Sequence, residues 1–284
     1  MLTWTARILA VPLLLIGASA CATPPEFAPR ERAPLPVQPA AASSAIPPQA
    51  RPDAAEADIL RQAMAREVPH LLAVPPGRQQ TSIGFAARSM AAAGAAIDHP
   101  QLVLAVDRNP AVQELLMVLA RPGAEPWEVI GGTHVSTGKP GRREHFKTAV
   151  GVFLNDASIL GYRAEGTYNG NHIRGLGVKN MRVWDFGWQS TEDWHHPGAV
   201  TQIRLEMHAT DPSVLEPRIG RPDSEGCVRI PAALNRFLDR HGVIDADLER
   251  EAVTDRRFRA LLPADREPTP LAGHPLVVYD SSGG

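Results

Sequence analysis

"TQIRLEMHATDPSVLEPRIGRPDSEGCVRIP", Thr201 to Pro231, carries a strand, a loop and the opening of a helix in one run. Ile203, Leu205 and Met207 alternate with Arg204 and Glu206, the period-two pattern of a strand with one buried face. His208 therefore falls on the polar face at that strand's end. Pro231 opens a helix whose buried stripe is Leu234, Phe237 and Leu238, with Gly242 as its stop. Between strand and helix, Ser224, Gly226 and Cys227 sit in a glycine-containing turn.

A thiol is a useful nucleophile only as thiolate, and a nearby imidazole can take its proton. The gap from His208 to Cys227 is long enough for the two side chains to meet across the loop. Gly226 lets the backbone approach a bound carbonyl closely, and the amides around Gly226 and Cys227 are candidate donors to an oxyanion. The planar fork of Arg229 suits a carboxylate. The other reading of Cys227, an inert buried cysteine packed as a small hydrophobe, stays open on chemistry alone.

Upstream, "QLVLAVDR", "ELLMVLAR", "WEVIGGTHVSTG" and "TAVGVFLN" read as strands, separated by "NPAV", "PGAEP" and "GKPGRRE", which hold the glycines and prolines that turns need. "HIRGLGVK" is a further strand candidate. From Ala54 to Val74 the apolar residues Ile59, Leu60 and Met64 recur at helical spacing, and Pro69 ends that helix. The expected fold is thus mainly β, sandwich-like or barrel-like, with a few short helices.

At the N-terminus Arg7 precedes the apolar run "ILAVPLLLIGASAC", Ile8 to Cys21. It is too short to cross a bilayer, which needs about 20 apolar residues, and it ends in the small residues of a cleaved signal peptide. "IGASAC" also resembles a bacterial lipobox, in which cleavage precedes a cysteine that then carries lipid. Cys21 is the expected lipidation site, and a soluble periplasmic product is the alternative. Ala22 after it points to the outer rather than the inner membrane. Nine of the 27 prolines lie between Pro24 and Pro52, mixed with Ala, Ser and Gln, which marks a linker suited to a tethered domain. Cys21 and Cys227 are the only two cysteines, and one at the head of such a tail is poorly placed to pair with the other. A net charge of −2 gives no basis for nucleic-acid binding.

"MHATDPSVLEPRIGRPDSEGCVRI" is similar to the signature of the L,D-transpeptidase (YkuD-type) catalytic domain: a histidine, a spacer, then Ser-His-Gly-Cys followed by an apolar residue and Arg or Asn. His208, Ser224, Gly226, Cys227 and Arg229 fall on matching positions. "VSTGKPGRREHFKTAVGVF" resembles the family's upstream strand and turn. The similarity spans about Leu102 to Asp245 and departs from the pattern at Glu225, where a histidine is usual, and at Ala149, where proline is common.

The resemblance implies a β-rich domain that cleaves a peptidoglycan tetrapeptide stem after its diamino acid. His208 deprotonates Cys227, a thioester holds the stem, and an amine of a second stem, a protein lysine or water takes the acyl group. Ser224 is expected to orient His208, with a simple turn residue as the alternative. Between the motif halves, Gly161 to Val200 holds Trp184, Trp188 and Trp194, either lining a groove for stem and glycan or packing a core. Arg174, Lys179 and Arg182 are candidates for meeting the stem's carboxylates, or are surface charges. No cofactor and no metal are expected. Zinc held by His195, His196, His208 and Cys227, and a non-catalytic wall-binding lipoprotein, are the readings from other classes. The chain divides into a signal peptide (1–20), linker (21–53), helical lead-in (54–95), catalytic domain (96–250) and C-terminal extension (251–284).

Overall fold

The computed structural model describes residues 51–262 and 264–283; the expected signal peptide, the lipidation site Cys21 and nearly all of the linker lie outside them. The lead-in consists of two helices, α1 (Pro52–Glu67) and α2 (Pro76–Ala92), each opened by a proline, which needs no hydrogen-bond partner for its nitrogen there. Leu60 and Met64 of α1 are buried as their spacing requires, together with Ala57 and Ala63, whereas Ile59 points to solvent.

Strands β1 (Gln101–Asp107), β2 (Glu114–Ala120), β3 (Glu128–His134) and β4 (Gly151–Leu154) fall where the apolar runs place them. β1 and β2 are buried at every position, because α2 covers one face of their sheet and the main core covers the other. That double cover is why they read as continuous apolar runs and not as alternation.

A second sheet contains β5 (Tyr162–Arg163), β6 (Arg182–Glu192), β7 (Val200–His208) and β8 (Val228–Arg229), in that order. Its inner face packs Trp184, Phe186, Leu205 and Met207 against Leu102, Leu104, Leu115 and Met117 of the first sheet. After β8 come α3 (Ala232–Arg240), α4 (Ala246–Ala252), α5 (Arg256–Leu261) and β9 (Pro275–Tyr279). β9 inserts between β1 and β4, giving the first sheet the order β3-β2-β1-β9-β4, with β1 and β9 parallel.

Three expectations change. Two mixed sheets share the described residues with five short helices in about equal measure and neither sheet closes, so the fold is α and β together rather than mainly β. Residues 251–284 are no appendage, since β9 is wholly buried in the middle of a sheet. "HIRGLGVK" forms turns: His172 and Gly177 have positive φ, and the Asn169 carboxamide oxygen accepts from the amides of Asn171 and Ile173.

One polar cluster ties helices to sheets. Asp245, fully buried, accepts from Asn155 (2.9 Å), from the Trp184 indole (3.1 Å) and from Arg266 (3.2 Å), and lies 3.6 Å from the equally buried Arg182. Asn235 of α3 brackets the Arg182 backbone, accepting from its N–H and donating to its carbonyl. Removing one partner of a buried charge pair strands the other, at a cost of about 3–5 kcal/mol. Asp245→Ala is therefore expected to lose ~3–5 kcal/mol in urea unfolding. A loss below about 1 kcal/mol would mean that Arg182 and Arg266 are held by packing alone.

Candidate active site

The register between strands assembles the site. β7 pairs with β8 in parallel, Met207 opposite Val228 and His208 opposite Arg229. Paired residues share a face, so Met207 and Val228 enter the core while His208 and Arg229 turn to the other side. Cys227, two residues before Arg229, joins them, and Glu206 reaches the same face from two residues before His208. The carboxylate of Glu206, the imidazole of His208 and the thiol of Cys227 each offer an atom within 4.8 Å of the others, the one such group among the described residues.

Both sequence segments singled out above meet in the turn that carries Cys227. Ser136 and Arg229 exchange backbone hydrogen bonds at 2.9 Å, and Lys139 N–H donates to the Ser224 carbonyl at 2.9 Å. Thr148 Oγ1 accepts from Gly138 N–H (2.9 Å) and reaches the Cys227 carbonyl (3.5 Å). A Cβ on Gly138 would lie 2.0 Å from the Phe146 carbonyl oxygen, so this crossing admits only glycine. Gly226 has φ +146°, and a Cβ there would press on Ile203 at 3.0 Å.

Ser224 does not orient His208 as expected. Fully buried, it donates to the Cys227 carbonyl (2.6 Å) and accepts from Gly226 N–H (3.2 Å), bracing the turn from inside. His208 is oriented instead by its neighbour: Nδ1 sits 2.5 Å from the Ala209 carbonyl and must donate to it, which leaves Nε2 as the proton acceptor. Because Gly226 N–H is already engaged, the Cys227 amide is the stronger candidate of the two expected oxyanion donors.

Electrostatics make this a neutral resting pair. Burial pushes the Cys227 thiol up to about 12, helped by the Glu206 charge, while Arg229 pulls the other way. Burial likewise lowers His208 to about 4. Glu225 adds a smaller upward push on the thiol, behind that of Glu206. Glu206 is itself raised by burial, against the hydrogen bond that its Oε1 accepts from the Tyr162 hydroxyl at 2.8 Å.

Arg229 lines a cleft of about 390 Å³ with Lys139, Arg142, Arg218, Asp223 and Glu225. It donates to the Asp223 carbonyl at 2.8 Å, and its Nε is buried without a partner. A second cleft, about 480 Å³ and lined by Tyr162, shares Asn169, Ile173 and Gly175 with the first. Trp188 is exposed on the site's side of the sheet, its ring 6.0 Å from the Arg204 guanidinium. Trp184 is not a groove residue: it points to the opposite face, is fully buried and donates to Asp245. Arg182 is buried beside it and cannot meet a substrate. His195 and His196 are exposed on the turn between β6 and β7 and take no part in the cluster. Sequence reading missed Glu206, although the alternation that placed His208 puts Glu206 on the same face.

No family model matches the sequence, and no curated protein matches it. Among solved structures the chain is similar to Bd1075 of Bdellovibrio bacteriovorus, with 14% identity over 64% of this chain and 49% of that one, at a TM-score of 0.29. It is also similar to a fused Zn-dependent amidase/peptidase/peptidoglycan-binding domain-containing protein from Clostridium acetobutylicum, with 12% identity over 72% and 63% of the two chains, at a TM-score of 0.27. The match spans less than two thirds of either structure's length.

A neutral His208 has a consequence for stability. With its pKa at about 4 in the folded chain and about 6.5 unfolded, its contribution is complete above pH 6.5. As the pH falls to 4, the unfolded chain takes up a proton that the folded chain refuses, and on the order of 3 kcal/mol is lost. Urea unfolding at pH 7 and pH 4.5 should show a smaller acid loss in His208→Gln than in the wild type. Equal losses in the two proteins would place the titration elsewhere.

Proposed function

We propose that this chain is a cysteine-dependent peptidoglycan L,D-transpeptidase, an acyltransferase that holds a tetrapeptide stem as a thioester on Cys227. The observation that carries this reading is the meeting of Cys227 and His208 on one sheet face, at a turn locked by the Ser136–Lys139 segment. Residues that resemble the family's two motif halves, far apart in sequence, are thereby physically coupled.

In this mechanism the thiol stays protonated until a stem arrives. As Sγ attacks the carbonyl of the diamino acid, Nε2 of His208 takes its proton, and negative charge grows on the carbonyl oxygen near the Cys227 amide. The imidazolium then protonates the departing D-Ala amine, and the thioester forms. Bringing substrate into the cleft also excludes water, so a proton transfer between neutral groups replaces a standing ion pair. Arg229, with Lys139, Arg142 and Arg218 along the same cleft, supplies positive charge suited to the stem's carboxylates. Trp188 offers an exposed apolar plate for the glycan or stem.

The second step moves the acyl group to an amine, of another stem or of a protein lysine, and His208 accepts the amine's proton before returning it to the sulfur. Water in the amine's place would make the same site a carboxypeptidase. We place the protein in the periplasm, tethered through a lipid on Cys21 to the outer membrane. A non-catalytic wall-binding role is the competing reading, and thioester formation separates the two.

Incubated with purified tetrapeptide stems and quenched in acid, the wild type is expected to gain the mass of a stem lacking its terminal D-Ala, on the peptide containing Cys227. Cys227→Ser should fold normally and lose turnover by at least about 10³-fold, since an alcohol is far less nucleophilic at neutral pH. A wild type that carries no adduct, or a serine variant with full turnover, would sink the assignment.

A further inference from the structure

Glu206, His208 and Cys227 present an oxygen, a nitrogen and a sulfur donor within 4.8 Å of one another. From this geometry we propose that the three side chains form a binding site for one zinc-type divalent transition-metal ion, whose occupancy silences the thiol.

The donor types select the ion. Carboxylate, imidazole and thiolate are the three protein ligands of zinc, whereas calcium and magnesium take oxygen sets. Around a tetrahedral zinc with bonds of 2.0–2.3 Å, ligand atoms stand about 3.3–3.8 Å apart, so closing the present cluster needs movements of roughly 1 Å. Two of the donors are fixed on one strand, two residues apart, and the third rides on the braced turn. Each rigid donor also has the outer partner that orients a ligand: Tyr162 hydroxyl on Glu206 Oε1 (2.8 Å), and the Ala209 carbonyl on His208 Nδ1 (2.5 Å). That second bond keeps Nε2 of His208 for the ion. Three protein ligands would leave a fourth position for water. Thiolate and carboxylate together balance the charge of the ion. His208 is buried and the other two are half-buried, unlike the scattered exposed carboxylates that gather without any metal.

Binding is independent of the transpeptidase reading; its consequence for turnover rests on that reading. A bound ion occupies the sulfur lone pair that would attack the stem and the imidazole nitrogen that would take the proton, so acyl transfer stops until the metal is withdrawn.

The test uses the purified full-length chain, stripped with EDTA. Adding a small excess of zinc ion should slow iodoacetamide alkylation of Cys227 at least tenfold, and EDTA should restore the rate. Cobalt ion should bind one per chain with a thiolate-to-cobalt charge-transfer band, absent from Cys227→Ser. Because loss of outer partners alone weakens metal sites by roughly 10–100-fold, Glu206→Gln should weaken cobalt binding at least tenfold. A double variant His195→Gln, His196→Gln should keep it. Unchanged alkylation with zinc present, unchanged affinity in Glu206→Gln, or loss of binding in the double histidine variant would each overturn the proposal. None of these readouts needs turnover, so absence of a stem thioester on the metal-free wild type would count against the transpeptidase reading and leave the metal result to be judged separately.

Discussion

The parallel pairing of β7 with the two-residue β8 is the constraint on which the site depends. Slipping that register by one residue would turn the wrong side of each strand outward, sending His208 into the core and Met207 toward the cleft. What prevents the slip is the inner face: Ile203, Leu205, Met207, Val228 and Ile230 all belong to one buried cluster with Trp184 and Phe237. The hydrophobic effect on one side of the sheet thus sets the chemistry on the other. β8 is too short to hold its place by its own ladder, and it is clamped on its free edge by the Ser136 backbone.

That clamp couples two sequence segments some eighty residues apart. Gly138 lies under the Phe146 carbonyl with no room for a side chain, and Thr148 connects Gly138 to the Cys227 carbonyl. Gln113 reaches in from the start of β2 and engages Thr137 through both ends of its carboxamide. The position of Cys227 is therefore set by backbone-directed hydrogen bonds from buried groups, none of which touches the sulfur.

The legible parts of the sequence were those where one signal dominates. Continuous apolar runs marked β1 and β2, clean alternation marked β7, and Pro231 with Gly242 framed α3. β6 was hidden inside what reads as an insertion, because a register shift between Asp185 and Trp188 breaks its alternation and because Arg182 and Asp185 are charged yet buried. Their burial depends on Asp245 and Arg204, partners that lie far along the chain. The place of β9 was equally hidden: "PLVVY" announces a strand, but nothing local says that it slots between β1 and β4. At the site, the residue types His208 and Cys227 were legible, whereas the role of Ser224 was not, since its hydroxyl could serve either the histidine or the turn until the backbone was placed.

A half-buried thiol near 12 beside an imidazole near 4 looks like a poor nucleophile and a poor base. The same burial that produces those values is what a substrate would exploit. The thiolate, and not the thiol, is the form that oxidises and reacts indiscriminately. Holding the pair neutral therefore protects Cys227 where no second cysteine is at hand among the described residues, and in the proposed mechanism it makes activation conditional on an electrophile placed within reach of both sulfur and imidazole. Glu206 strengthens that condition, since its charge opposes thiolate formation in the empty site. A metal ion bound beside Glu206 would remove that opposition. At the proposed metal site the ion would neutralise Glu206 and Cys227 together while holding the sulfur out of reaction.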